Sequence, residues 1–202
     1  MRGKRGKRLL LASGVIDQFP AIPGVRERWG TSILHCPDCH GYEFLGRQLA
    51  VIGVMPLSAH MARMIAERSP FVTYCANGIA LDPEQEQVLR ARAIRIEHSP
   101  VAALGGAAPA LDGIVLADGT LVPADAAFLA TQVFASPLAR QLGCAFDEGA
   151  LGLYVRTNEF QETSVPGVFA AGDVARMWHN ATWAAADGVS AGTAAHRPLV
   201  FA

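Results

Sequence analysis

The sequence predicts an α/β fold with a parallel sheet and crossover helices, followed by a β-hairpin and a second α/β part. Three observations predict it. Between residues 48 and 96, short apolar runs of strand type alternate with helical segments, the order expected of a parallel sheet. Of 202 residues, 51% are hydrophobic and only 17% are charged, a packed globular composition rather than a disordered one. Beyond residue 113 the pattern changes to hairpin signals, then to an apolar strand that ends at Gly172-Asp173 before a helix of small residues.

Each element has its own signal. Arg8 to Ala12 reads as a short buried strand closed by Ser13-Gly14, and a loop with Pro20, Pro23 and Gly24 follows. Ser32 to His35 is a second strand, leading into a cysteine pair. Gln48 to Ile52 is a strand closed by Gly53. From Ser58 to Arg68, Ala59, Ala62 and Ala66 share one helical face, with Ile65 beside it. Phe71 to Cys75 is the next strand, ended by Asn77-Gly78. Asp82 and Pro83 open a helix that runs to about Ala91, since proline suits the first helical position. Ala93 to Ile96 is a third strand of this region. Gly113 to Leu116, the turn Asp118-Gly119 and Thr120 to Val122 make a hairpin. Ala126 to Ala130 is a further strand, and Pro137 and residues 143–152 are expected as loops. Leu153 to Arg156 and Gly167 to Ala171 are strands, and a helix runs from Ala181 to Ala195.

Charge and composition exclude several functions. The net charge of −1 gives no broad electrostatic footprint for nucleic acid. Arg2, Lys4, Arg5, Lys7 and Arg8 crowd the start and read as a solvated arm. No apolar run approaches a membrane span, so no membrane partner is expected and the cytoplasm is the expected location. Of four cysteines, Cys75 and Cys144 stand alone in apolar surroundings and read as core residues. Cys36 and Cys39 form a C-x-x-C, which in a cytosolic α/β protein means redox chemistry or half of a metal site.

Three stretches can carry chemistry. The first is His35-Cys36-Pro37-Asp38-Cys39-His40-Gly41-Tyr42-Glu43. Cysteines at this spacing can close a small disulfide ring, and at a helix N-terminus a thiolate gains from the dipole and a neighbouring imidazolium. His40 is the natural acid/base partner, and His35 a second candidate. A zinc site would need four ligands, and no second C-x-x-C or clustered histidine pair completes the set, so no metal is expected. The second stretch is Ala50 to Ser58, placed where a dinucleotide fingerprint belongs. Gly53 matches its first glycine and Ser58 its small third residue. Met55 replaces the second glycine and would obstruct the phosphates, and Pro56 removes a backbone donor. The third stretch is Val165 to Asp173, where the aspartate could accept a sugar or ribityl hydroxyl. Trp178 and Trp183 flank the following helix and read as packing residues.

Together and in this order, these stretches resemble the thioredoxin reductase family over nearly the whole chain. Ala12-Ser13-Gly14 is similar to that family's Ala-Thr-Gly turn. Cys36 to Glu43 resembles its redox motif, and residues 49–62 its nicotinamide-domain fingerprint. Residues 165–188 resemble its second flavin segment, with His179-Asn180-Ala181 in the place of its Arg-Gln-Ala stretch. The resemblance implies a remnant of a flavin domain with linker in residues 1–32. It implies a Rossmann-like NAD(P)-type domain carrying the C-x-x-C in 33–130, and the C-terminal part of the flavin-binding domain in 131–202. It implies catalysis by Cys36, Cys39 and His40. FAD would be held by Ala12, Ser13, Gly14, Gly172, Asp173, Asn180 and Ala181, and NADPH by Gly53 and Ser58.

The departures from the family shape the expected function. His40 stands where classical reductases carry an acidic proton donor, and no arginine follows Tyr74 to Gly78 to grip a 2′-phosphate. Cys-x-x-Cys-His-Gly-Tyr-Glu is similar to a subgroup that includes dithiol oxidases related to gliotoxin oxidase, which pass electrons to oxygen without a nicotinamide cofactor. No strand with G-x-G-x-x-G precedes Cys36, so the first half of the flavin domain is expected to be missing, or supplied by a homodimer partner or another chain. The leading expectation is dithiol–disulfide exchange coupled to FAD on a protein or small-molecule substrate. The alternatives are a small-molecule dithiol oxidase and a non-catalytic, partner-binding fragment.

Overall fold

A computed structural model describes residues 6–201. Arg2, Lys4 and Arg5 of the expected basic arm lie outside the described residues. The chain divides into two compact units: Phe19–Thr131 form one, and the residues up to Gln18 with those from Gln132 onward form the other. The segment 1–32, expected as one piece, is thus shared between the two units.

The discontinuous unit begins with β1 (Leu9–Leu11) and β2 (Val15–Gln18). β2 lies where a loop was expected. Its inward and outward residues alternate, but four residues with Asp17 and Gln18 among them give too short a pattern to read.

The continuous unit then runs through α1 (Val25–Arg28), β3 (Ile33–Leu34), α2 (Pro37–His40) and a 3-10 turn at Gly41–Phe44. Next come β4 (Leu49–Ile52), α3 (Ser58–Ile65), β5 (Val72–Cys75), α4 (Pro83–Ala91) and β6 (Arg95–Glu97). A meander of β7 (Val101–Gly105), β8 (Gly113–Leu116) and β9 (Leu121–Pro123) leads to β10 (Ala126–Phe128). Five strands form a parallel sheet in the order β3-β10-β4-β5-β6. β4 is central, and all four of its residues are fully buried, which is why it reads as an unbroken apolar run. One face of the sheet packs Ala50, Ile52, Cys75, Ala127 and Leu129 against Leu104, Ile114, Leu116 and Val122 of the meander. The expected hairpin is present, and β7 joins it as a third antiparallel strand, unforeseen because its burial is mostly partial. α4 starts where expected: Asp82 accepts the Gln85 amide while Gln85 returns a bond to the Asp82 amide, a capping box.

Arg28 is 4% exposed, and the acceptors it meets are backbone carbonyls. Its guanidinium donates to the carbonyls of Gly24, Gly105, Gly106 and Ala110, tying α1 to the β7–β8 loop. Buried charge is tolerated when its donors are used in this way.

The discontinuous unit resumes with β11 (Gln132–Ala135), α5 (Pro137–Gln141), β12 (Phe146–Gly149), β13 (Gly152–Val155) and β14 (Val168–Ala170). A 3-10 turn at Gly172–Ala175 and α6 (Ala181–Val200) complete it. β1 pairs in parallel with β14, and β12-β13-β11-β2 form a second sheet. Two expected loops are corrected here. Ser136 caps α5 with Pro137 at its first position, a start signal that the proline was read against. Residues 146–149 pair with β13 as a tight hairpin, and a Cβ at Gly152 would collide with the Val133 carbonyl. α6 also runs past Ala195 and through Pro198 to Val200. Among the described residues, no helix is long and apolar enough to cross a membrane.

Candidate functional site

The parallel pairing of β3 with β10 sets where the cysteine-bearing loop leaves the sheet. Leu129 donates its amide to the Leu34 carbonyl, and the chain turns out at His35. His35 lies 3.4 Å from Thr131 Oγ1, and its ring sits 6.4 Å from that of Trp29. Cys36 is extended (φ −108°) and caps α2, its Sγ accepting the Cys39 amide at 3.2 Å. Pro37 occupies the first helical position, where no N–H is required. Cys39 Sγ is 2.7 Å from Cys36 Sγ, and both cysteines are free thiols. The Cys39 thiol is pushed up to about 11, first by its hydrogen bond to Cys36, then by burial and by the negative charge of Cys36 and Asp38. Cys36 sulfur is therefore the acceptor at this helix start, and Cys39 keeps its proton. His40 Nδ1 is 3.3 Å from Glu43 Oε1 at the surface. Arg68, beyond the end of α3, places a guanidinium nitrogen 2.8 Å from Asp38 Oδ1. No sequence signal marks that pairing, because 30 residues separate the two. The sulfurs can be joined without backbone rearrangement, so the loop can hold either a dithiol or a disulfide. Among the described residues, no group of three or more His, Cys, Asp or Glu could hold a metal ion.

The turn from β4 to α3 has the topology of a nucleotide site. Gly53 is required there, because a Cβ would collide with the Ala76 carbonyl and approach Tyr74 Oη at 3.0 Å. The fully buried Ser58 turns its hydroxyl inward and accepts the amides of Val54 (3.2 Å) and Met55 (3.3 Å). These are the donors that a phosphate would use at such a turn. Met55 is itself buried. Asn77 donates to the Gly53 carbonyl and accepts the Val101 amide, closing the neighbouring loop. Ser58 thus completes the turn internally.

A second crevice lies at the C-terminal ends of β1 and β14. Leu11 pairs with Ala170, and Ala171 donates to the Leu11 carbonyl, so Ala12-Ser13-Gly14 and Gly172-Asp173 emerge side by side. Crevices outside the carboxyl ends of parallel strands are where α/β folds bind ligands. Ala12 and Ser13 are exposed, Gly14 has φ +61°, and Asp173 is half-buried. Gly172 has φ +75°, and a Cβ there would press on Ala184 of α6 at 3.2 Å. Asn180 caps α6, accepting the amides of Thr182 and Trp183, and Ala181 is the first helical residue. His179, just before the cap, has a buried Nε2 with no partner. Asp187 of α6, overlooked in the sequence, accepts bonds from Arg176, from the Gly172 amide and from Gln161. Arg176 holds its carboxyl below the usual range, and the 3-10 turn is thereby fixed to the helix. Cys75 and Cys144 are buried as expected. Trp178 and Trp183 are not core residues: they remain 44% and 47% exposed, and the Arg176 guanidinium lies 5.6 Å from the Trp183 ring.

The pyridine nucleotide-disulphide oxidoreductase family matches residues 4–188. A thioredoxin reductase of Claviceps purpurea is 35% identical over 207 residues, covering 96% of this chain and 63% of that protein. A thioredoxin reductase of Leptosphaeria maculans is 31% identical over 205 residues, covering 93% and 62%. The crystal structure of an oxidoreductase from Agrobacterium tumefaciens is similar at a TM-score of 0.87 and 38% identity, over 96% of this chain and 65% of that one. The chain spans less than two thirds of the length of each of these proteins.

Proposed function

The chain belongs to the pyridine nucleotide-disulphide oxidoreductase family, and on that premise we propose that Cys36 and Cys39 perform dithiol–disulfide exchange coupled to FAD. The observation that carries this reading is the contact between the two sulfurs at the start of α2, with Cys36 as acceptor and Cys39 as donor.

In the reducing direction, the Cys36 thiolate attacks one sulfur of a substrate disulfide. The substrate S–S bond breaks, a mixed disulfide forms at Cys36, and the leaving thiolate takes a proton, for which His40 is the donor. Cys39 then gives up its proton and attacks the Cys36 sulfur, releasing the second substrate thiol. The substrate gains two electrons and two protons, and the Cys36–Cys39 disulfide records their loss. FAD, when bound, supplies the two-electron couple that resets the pair. The crevice at β1 and β14 fits such a group. Asp173 offers a carboxylate to ribityl or ribose hydroxyls, Ala12-Ser13-Gly14 and Gly172 keep the backbone open, and the His179 Nε2 awaits a partner. Asn180, the cap of α6, and Ala181, its first residue, are the further candidates for that group.

A second reading has its own observation. With Ser58 on the Val54 and Met55 amides, Gly53 and Ser58 are poorly placed to bind NADPH phosphates. That favours a dithiol oxidase, in which the exchange runs in reverse and oxygen takes the electrons. The partner is a protein or small molecule carrying a dithiol or disulfide. Cys36→Ser is expected to abolish exchange with any such substrate. Full activity in that variant would refute the assignment. Oxygen consumption with a dithiol and no NADPH supports the oxidase, and dependence on NADPH supports the reductase.

A further inference from the structure

We propose that Arg68 is a positioning residue for the cysteine pair, pinning the Asp38 carboxylate and cancelling its charge beside the two sulfurs. This rests on Cys36 and Cys39 being the redox pair. Asp38 stands between them on the single turn of α2, within one turn of both. A carboxylate there opposes negative charge on sulfur, and negative charge on sulfur is what exchange requires. Its own charge contributes to holding the Cys39 proton.

α2 is too short to supply a counter-ion, so it comes from a distant part of the chain. Arg68 grips the redox loop at three points. Its guanidinium meets Asp38 Oδ1 at 2.8 Å, and its carbonyl accepts the Gly46 amide at 3.0 Å. Its side-chain stem lies over Gly41, 3.1 to 3.4 Å from where a Cβ would stand, so glycine clears the path for the arm. Among the described residues, Glu67 pairs with Arg92 and Arg47 with Asp125, and His40 meets Glu43. Arg68 is the counter-ion that meets Asp38. The pair is solvated, with side chains 36% and 67% exposed, so its contribution to stability is small and its effect falls on the adjacent thiols.

The test measures iodoacetamide alkylation of the reduced full chain at neutral pH, resolving Cys36 and Cys39 by peptide mass spectrometry. Arg68→Gln should slow alkylation of the pair about threefold, and Arg68→Lys should restore most of the rate. Asp38→Asn should raise it by a similar factor. The Asp38→Asn/Arg68→Gln double variant, with the parent's local charge, should return near the parent rate. At about 1 M salt the differences should shrink, as charge effects do and packing effects do not. Equal rates in parent and Arg68→Gln would overturn the proposal. So would a Lys variant as slow as the Gln variant, or a loss unchanged by salt. Alkylation needs neither substrate nor flavin, so its outcome is separate from the activity of Cys36→Ser: retained activity there removes the functional reading whatever the alkylation rates.

Discussion

Asp187 sits in an alanine-rich helix where sequence alone marks it as an ordinary surface acid, but its side chain is 3% exposed. Both carboxylate oxygens are engaged by Arg176, and the Gly172 amide and Gln161 supply the remaining donors. Removing one partner of a buried ion pair leaves the other without compensation. Asp187→Ala should therefore cost about 3 kcal/mol, the low end for buried pairs, because Arg176 keeps a third of its surface in water. Denaturant unfolding measures it, and a loss below about 1 kcal/mol would show that the pair is not a lock. The pH dependence has a definite sign. A carboxyl held below its ordinary value stabilises the fold above about pH 4, and that contribution is lost as pH falls through the ordinary value and then the lowered one. The acid limb of the stability curve should accordingly be shallower in Asp187→Asn. The cysteine pair was legible at this scale. Cys36, Pro37 and Cys39 announce a capped turn by spacing, whereas the Arg68 partner of Asp38 and the carbonyl cage around Arg28 were not legible, since each joins residues remote in sequence.

At the scale of elements, the turn between β4 and α3 separates topology from binding chemistry. Gly53 is where the fold demands it, yet the two amides beyond it are satisfied by Ser58. Ser58→Ala should leave the buried Met55 amide and the part-buried Val54 amide unpaired and destabilise the chain by about 1–2 kcal/mol, read from the denaturant midpoint. A neutral result would mean that the turn relaxes and that the hydroxyl does not hold it. The elements that sequence located well are those with strong local grammar. The capping box of α4 and the unbroken apolar β4 are examples. β2, β7, β11 and β12 went unseen because each is short and partly exposed, so that most of its apolar character depends on neighbours supplied by distant segments.

The whole molecule folds one unit from a continuous stretch and the other from two separated ones. The paired crevice at β1 and β14 exists only because Leu9–Leu11 and Val168–Ala170, far apart in the chain, lie side by side. Purified without added cofactor, the protein is expected to be yellow with a flavin spectrum, arising from that crevice. A preparation that stays colourless after incubation with FAD would show that these residues do not suffice to hold the flavin. The sequence by itself determined the α/β class, the position of the Cys36–Cys39 turn, the order of the β4-to-β6 region and the two glycine-marked strand ends. Those features are local, and depend on periodicity, capping and the φ freedom of particular residues. Only the tertiary structure decided that Ser58 fills its own turn, that Arg68 answers Asp38, that Asp187 locks the Gly172 turn, and that Leu11 pairs with Ala170. The physical reason is that burial and hydrogen-bond satisfaction are settled between segments, so the identity of a partner is not written next to the residue that needs it.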